Sequence, residues 1–214
     1  MGDERRHSLV LAAEYPVSDI DEMWTQLQVR KSHLADIDAH HIVVYSSMWG
    51  PRRALVTVGL RRPDSVREIL RSPIIFELFD IAGCDEIPAM FAGELVEQLD
   101  LHGAERREGV AGVIVGVVTH VDDVAELIVK VRAAADRFQR AGVRKLWMYS
   151  ALDDGREVMI LQEIADEITA RRWRNHPDSA AEWMTNVGAG GYPKLFVGRL
   201  AHLMAVDAQA ERAG

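Results

Sequence analysis

The feature that most constrains the fold of this sequence is an internal repeat at a nearly constant offset. Residues of the same type recur 104 positions apart, and beyond Gly83 the offset becomes 105. The matching pairs are Val17/Val121, Asp19/Asp123, Glu22/Glu126, Tyr45/Tyr149, Ser46/Ser150, Arg52/Arg156 and Pro73/Pro177, then Gly83/Gly188, Pro88/Pro193, Phe91/Phe196, Gly93/Gly198 and Leu95/Leu200. One offset held over most of a chain predicts two copies of a single structural unit.

The boundary between the copies is predicted in the short polar stretch 102–111, which is bounded by glycines. The first copy then spans 1–101, the second spans 112–206, and 207–214 forms a loose tail. Within each copy, apolar periodicity and capping residues predict the order β-α-β-β-α-β. This is the order of a ferredoxin-like repeat, in which two helices lie on one face of a four-stranded antiparallel sheet.

The clearest hairpin of the second copy surrounds Asp153-Asp154-Gly155, with an apolar run on either side. Aspartate followed by glycine is typical of a tight hairpin turn, in which the glycine takes a positive φ. The stretch 41–57 is the equivalent hairpin of the first copy.

Several strands are apolar at successive positions, in particular 113–115, 117–118 and 158–161. A sheet with one solvated face alternates apolar and polar residues, so these strands are predicted to be buried on both faces. Helices cover one face, and the sheet of the other copy is predicted to cover the second. The predicted class is α+β, with two tandem ferredoxin-like (βαββαβ) repeats that pair their sheets into an intrachain α+β barrel.

Composition excludes several classes of protein. The net charge of −8 over 214 residues argues against a nucleic-acid partner, which would require a basic face. No apolar run approaches the roughly 20 residues of a membrane span, and no signal peptide is evident, so a cytoplasmic protein without a membrane partner is expected. The single cysteine, Cys84, excludes an internal disulfide. The chain is expected to be a monomeric barrel or a homodimer.

Three stretches carry a resemblance to a known family. They are Glu14-Tyr15-Pro16 at the end of the first strand, the hairpin, and Arg172-Trp173-Arg174-Asn175-His176-Pro177 ahead of a short helix. With them the chain resembles the dimeric α+β barrel superfamily, and it looks most like the antibiotic biosynthesis monooxygenase branch in the form of a tandem fusion. The resemblance implies an enzyme that needs no cofactor and a small apolar or aromatic ligand.

The resemblance also implies where polar site residues would lie. Members that oxidise quinol-like aromatics or haem typically use an Asn on the first strand, a Trp on the second long helix, and a His farther along. These positions fall on Leu11 and Val115, on Ile69 and Trp173, and near Leu78 and Glu182. Only Trp173 matches the family pattern, so the second copy is predicted to hold the working site.

The candidate catalytic residues are Trp173, Asn175 and His176. An indole and an imidazole three positions apart share a helix face, and a histidine titrates near neutral pH. Trp173 would stack on a flat substrate, while Asn175 and His176 would handle an oxyanion and a proton. The alternative is that Trp173 fills the core and that His176 ends the helix before Pro177.

The candidate substrate-binding residues are Trp183 and Asn186, which share a face of the short helix that follows. Aromatic residues line apolar ligand pockets, although they are equally common in cores. No metal site is predicted, because the adjacent His40 and His41 would point to opposite faces of a strand. The function hypothesis is a cofactor-independent monooxygenase, or a related enzyme, of small aromatic or polyketide-like substrates. The alternatives are a non-catalytic ligand-binding or protein-interaction module and, third, haem binding or degradation.

Overall fold

The computed structural model describes residues 9–61, 66, 69, 70, 73, 88–101, 112–175 and 195–206. Within these ranges, strands alternate with short helices. The elements are β1 (Leu9–Pro16), α1 (Ile20–Val29), α2 (Lys31–Asp36), β2 (Ala39–Ser47), β3 (Arg53–Leu60), β4 (Met90–Asp100), β5 (Val113–His120), α3 (Val124–Ala133), α4 (Ala135–Arg140), β6 (Val143–Ala151), β7 (Glu157–Ile164), α5 (Glu167–Asn175) and β8 (Phe196–Ala205).

The chain forms two compact units. The first contains the residues up to Ala92 together with those from Leu200 onward, and the second runs from Gly93 to Arg199. The division therefore falls inside β4 and inside β8. The predicted boundaries of the sequence repeats remain a prediction, and the stretches 102–111 and 207–214 lie outside the described residues.

In the first unit, β3 is the central strand and pairs antiparallel with β1 and β2. Leu11 and Ile42 both lie opposite Val58. The side chains that point from this sheet toward α1 and α2 form the core, with Ile42 and Leu34 fully buried. Asp19 caps α1 by accepting hydrogen bonds from two backbone N–H groups of the first turn.

The end of β8 also packs on α1 in this unit. The imidazole of His202 stacks on the indole of Trp24 at 4.8 Å between ring centroids, with an angle of 6° between their planes. Its Nε2 atom lies 2.9 Å from Asp21 Oδ1. Ring stacking and the polar contact together hold α1 against this strand.

In the second unit, β7 occupies the central position and pairs antiparallel with β5 and β6. β6 also pairs with β4, and β5 pairs with the first part of β8. Leu146, Met148 and Ile160 point toward α3 and α4, where they form the core with Leu127 and Val131. Asp123 caps α3 by accepting a hydrogen bond from the Glu126 N–H group.

The predicted α+β class is confirmed, with antiparallel strands and helices in both units. The first five residues of β5 are all buried, as are residues 158–162 of β7. These strands are therefore buried on both faces, as their successive apolar residues predict. Among the residues that the structure describes, no helix has the length and apolar character needed to cross a membrane.

The first helix of the predicted β-α-β-β-α-β order is two shorter helices in each copy. In the first copy the chain leaves helical geometry at Arg30, with φ −99° and ψ 16°, and in the second at Ala134, with φ −91° and ψ 4°. At both breaks a backbone N–H bonds to the carbonyl three residues back, from Arg30 to Leu27 and from Ala134 to Val131. This tighter turn ends the first helix and redirects the chain.

The predicted positive φ at Gly155 is wrong. The described glycines with positive φ are Gly50, in the other hairpin, and Gly142. The carboxylate of Asp154 instead accepts a hydrogen bond from the Arg156 N–H group at 2.9 Å, and the Asp154 carbonyl accepts one from Glu157. An aspartate that bonds to the backbone two residues on closes a turn without a left-handed glycine.

In both copies a left-handed residue precedes the second strand, and a β-bulge lies near the start of that strand. Asp38 has φ 59° and its equivalent Gly142 has φ 85°. The register then shifts between Ala39 and His41 in β2, and between Val143 and Lys145 in β6. An extra residue at a bulge turns two successive side chains to one face of the sheet.

Candidate functional site

Two of the predicted catalytic residues, Trp173 and Asn175, lie in the last turn of α5. His176, Trp183 and Asn186 lie outside the described residues. The part of this site within the described residues consists of α5 and the strands on which it packs.

Helix α5 packs on β5 and β7. Ala170 is fully buried, while Arg171 is exposed and pairs with Glu167 one turn earlier at 2.7 Å. A Cβ atom on Gly142 would lie 2.7 Å from the methyl group of Thr169, so this glycine allows the helix to approach β6 closely. The first turns of α5 are thus held against the sheet.

The start of α5 is held by Asp166, whose carboxylate accepts a hydrogen bond from the Thr169 N–H group at 2.7 Å. This bond, together with the Thr169 hydroxyl, lowers the pKa of Asp166 because both stabilise the ionised carboxylate. The folded protein therefore favours the charged form of Asp166 more than the unfolded chain does.

We expect Asp166→Asn to make the free energy of unfolding less sensitive to acid. Since the pKa is lowered on folding, the stabilisation is complete above the usual value of 3.8 and is lost as the pH falls through the lower value. Asn retains the capping acceptor without ionising, whereas Asp166→Ala should cost about 1 kcal/mol at pH 7. Urea unfolding at pH 7 and pH 3 measures both effects. Asp153→Asn, in an exposed turn, is the control, and equal acid sensitivity of Asp166→Asn and the natural protein would contradict the assignment.

The sheet face beneath the helices of the second unit contains the buried polar residue Gln162. Gln162 pairs with Val115 and Leu146, and antiparallel partners share a face. Gln162 is 5% exposed, and its Oε1 atom has no hydrogen-bond partner among the residues that the structure describes. A buried acceptor without a donor costs about 1–3 kcal/mol of stability.

The equivalent face of the first unit borders a cavity of about 40 Å³. Leu11, Ile42 and Val58 are the equivalents of Val115, Leu146 and Gln162, and all three line this cavity. Its other lining residues include Ala13 on β1 and Leu27 and Leu34 on the helices. The cavity is large enough for a water molecule, but its apolar lining favours an apolar occupant.

Two residues that line the cavity are smaller than their equivalents in the second copy. Ala13 and Leu34 line it, and their equivalents in the second copy are the larger Val117 and Phe138. Both larger residues are buried in the core of the second unit. Small side chains at these positions leave space beneath the helices that larger side chains would occupy.

The cavity has one hydroxyl group in its lining, that of Tyr15. This hydroxyl donates a hydrogen bond to the sulfur of Met23 at 3.2 Å. The side chain is buried in the apolar core of the unit. The described lining thus offers apolar contact, with no carboxylate or imidazole to carry a proton.

The prediction that His40 and His41 point to opposite faces is wrong. The bulge turns both rings toward Gly59, and their Nδ1 atoms lie 2.6 Å apart. The expectation assumed a regular strand, whereas the inserted residue changes the alternation. Within the described part of the chain, no group of three or more metal-ligating side chains is present.

No protein-family model matches this sequence, and no curated protein matches it. The chain is similar in structure to an anthrone oxidase-like protein, with a TM-score of 0.66, 13% identity and 94% of each chain covered. It is also similar to a candidate monooxygenase from Fusobacterium nucleatum, with a TM-score of 0.58, 6% identity, and 92% of this chain and 94% of that one covered. These likenesses show a shared fold, and the resemblance to the monooxygenase-like ferredoxin fold is confirmed at that level.

Sequence reasoning missed Gln162 and the cavity of the first unit. Gln162 had a usable signal, because it is the polar member of the equivalent pair Val58/Gln162 and directly follows the apolar run 158–161. No sequence signal indicated the cavity, because its volume depends on how side chains from α1, α2 and three strands fit together.

Proposed function

We propose that this protein is an oxidoreductase of the monooxygenase kind that acts on a small, flat aromatic or polyketide-like substrate. The observation that carries the proposal is the packing of α5 on β5 and β7. Its last turn contains Trp173 and Asn175, and the sheet face beneath the helices contains the buried Val115 and Leu146. The proposed substrate position is between the last turn of α5 and this sheet face, where a flat apolar molecule would contact these apolar side chains.

The proposed roles follow from the chemistry of each side chain. Trp173 stacks on the ring system, His176 removes a proton from a substrate CH₂ group, and Asn175 donates a hydrogen bond to the resulting oxyanion. Trp183 and Asn186 bind the remainder of the substrate. One atom of O₂ becomes the carbonyl oxygen of the product, and the other leaves as water with the two substrate hydrogens. The substrate therefore supplies the electrons, and no separate cofactor is required.

The likeness to an anthrone oxidase-like protein supports this choice of reaction and suggests anthrone as a first probe. Fold similarity by itself allows many activities, so the residues of α5 provide the sharper test. A cytoplasmic location and a monomeric or homodimeric state stay predictions from the sequence.

The test measures oxygen uptake and quinone formation by the full chain with anthrone in air. Trp173→Ala and His176→Ala are each expected to lower turnover by about tenfold or more, because they remove substrate positioning and the general base. His33→Ala, on the exposed face of α2, is the control and should leave turnover unchanged. Unchanged turnover in both α5-region variants would rule out these assignments.

A second candidate function is non-catalytic binding of an apolar molecule, and the cavity of the first unit favours it. Its described lining holds apolar groups and the Tyr15 hydroxyl. Ala13→Leu is expected to fill the space and abolish binding of an apolar probe such as naphthalene. Loss of naphthalene binding in Ala13→Leu, with no anthrone turnover in the natural protein, would favour this second function. A Soret band on titration with haem would favour the remaining alternative, haem binding or degradation.

A further inference from the structure

Gln162 has a buried acceptor, and its described neighbours on the sheet are apolar. The side chain lies on the helix-facing side of β7, between Ile160 and Ile164 on the same strand, and across from Val115 and Leu146. All four of these neighbours are buried. Within the described residues no donor reaches the Oε1 atom of Gln162.

The first copy shows that an apolar residue suits this position. Val58 is the equivalent of Gln162, and it completes an apolar face with Leu11 and Ile42. An apolar residue in place of Gln162 would remove the unpaired acceptor and would therefore be expected to stabilise the fold. Loss of stability at a buried polar group is typical of functional sites, where a ligand later supplies the missing partner.

We infer that Gln162 Oε1 recognises a neutral hydroxyl group, of the phenol type, on the flat substrate of the second copy. This inference rests on the proposed function, because it concerns the same site beneath α5. An amide oxygen accepts a hydrogen bond from an O–H group, whereas a methyl ether has no proton to donate. A site with a buried acceptor discriminates strongly against a ligand that leaves it unpaired. Gln162 is thus a specificity residue, and it takes no part in proton transfer.

The experiment compares 1-naphthol with 1-methoxynaphthalene as probes, by calorimetric titration of the full chain at pH 7. The natural protein is expected to bind 1-naphthol about tenfold or more tightly than the ether. Gln162→Leu should bind the two probes with affinities within about twofold of each other, because the substitution lowers the affinity for 1-naphthol. Without ligand, the same variant should unfold about 3 °C higher, since the unpaired acceptor is gone.

Two further variants keep the test decisive. Gln162→Val reproduces the residue of the first copy and serves if Gln162→Leu does not fold. Gln139→Leu, at an exposed position of α4, is the matched control and should change neither probe preference nor thermal midpoint. A preference for 1-naphthol that survives in a folded Gln162 variant would overturn the inference, as would no preference in the natural protein.

The two proposals fail in distinguishable ways. Discrimination that depends on Gln162, without any oxidation of anthrone, would support the recognition of a hydroxyl group and reject the enzyme. Oxidation that depends on Trp173 and His176, with no effect of Gln162→Leu on probe preference, would support the enzyme and reject this role of Gln162.

Discussion

Replacing Glu97 with alanine is expected to lower the free energy of unfolding by about 3 kcal/mol. The Glu97 side chain on β4 is 8% exposed, and its Oε2 atom accepts hydrogen bonds at 2.6 Å from two nitrogens of Arg132 on α3. Its Oε1 atom accepts a third from the backbone N–H of Gln98 at 3.1 Å. The substitution removes two charge-assisted bonds and leaves that N–H group without its acceptor.

The matched control is Glu126→Ala on α3. Glu126 pairs with Lys130 at 2.7 Å, but the two side chains are 61% and 37% exposed, so the pair contributes less than about 0.5 kcal/mol. Urea unfolding at neutral pH compares the two variants directly. Glu97→Gln keeps the shape and one acceptor oxygen but loses the charge and the second acceptor, and it should lose about half as much as Glu97→Ala. If Glu97→Ala and Glu126→Ala lowered the free energy of unfolding equally, burial of the Glu97 carboxylate would not strengthen its bonds to Arg132.

Replacing Gly59 with alanine is expected to cost about 3 kcal/mol, at the upper end of the range for overpacked cores. A Cβ atom at this position would lie 2.6 Å from the Cε1 and Nε2 atoms of His40 and would also overlap Cε1 of His41. The His40 ring is 8% exposed, so it has little room to move away. Displacing it would also disturb the contact between the two imidazoles.

Thermal or urea unfolding of Gly59→Ala tests this steric argument against a suitable control. Gly155→Ala adds the same methyl group where no atom lies within 4 Å, and it should be neutral or slightly stabilising. Combining Gly59→Ala with His41→Ala removes one of the overlapping rings and should recover part of the loss. A double variant that is no more stable than Gly59→Ala would show that the ring contacts are not the cause.

Local features of the fold were predictable because they depend on residues close together in the sequence. Asp19 and Asp123 are both observed as helix caps, since a side-chain oxygen reaches N–H groups two or three positions away. Burial on both faces of β5 and β7 follows from their successive apolar residues. The breaks at Arg30 and Ala134 were not predicted, because the residues on both sides of them continue the helical pattern.

The candidate site was predictable only as a segment. The residues of 172–177 indicated a helix and a mixture of aromatic, amide and imidazole groups, and α5 does extend through Asn175. Gln162, which we propose as part of the same site, lies on strand β7, thirteen residues before Asn175. The register of the sheet decides which strand residues lie beneath a helix. The register depends on the pairing of two strands, so the sequence of one strand alone does not determine it.

The residue pattern alone is sufficient to specify the α+β class, the capped helices and the strands that bury both faces, because each of these arises from short-range periodicity and backbone chemistry. Tertiary packing decided the rest. It turned His40 and His41 to one face through a bulge, left a cavity beside Ala13, and brought Arg132 to Glu97 across 35 positions of sequence. Such features depend on how side chains from distant segments pack together at high density. The order of residues along the chain does not show how well those side chains fit.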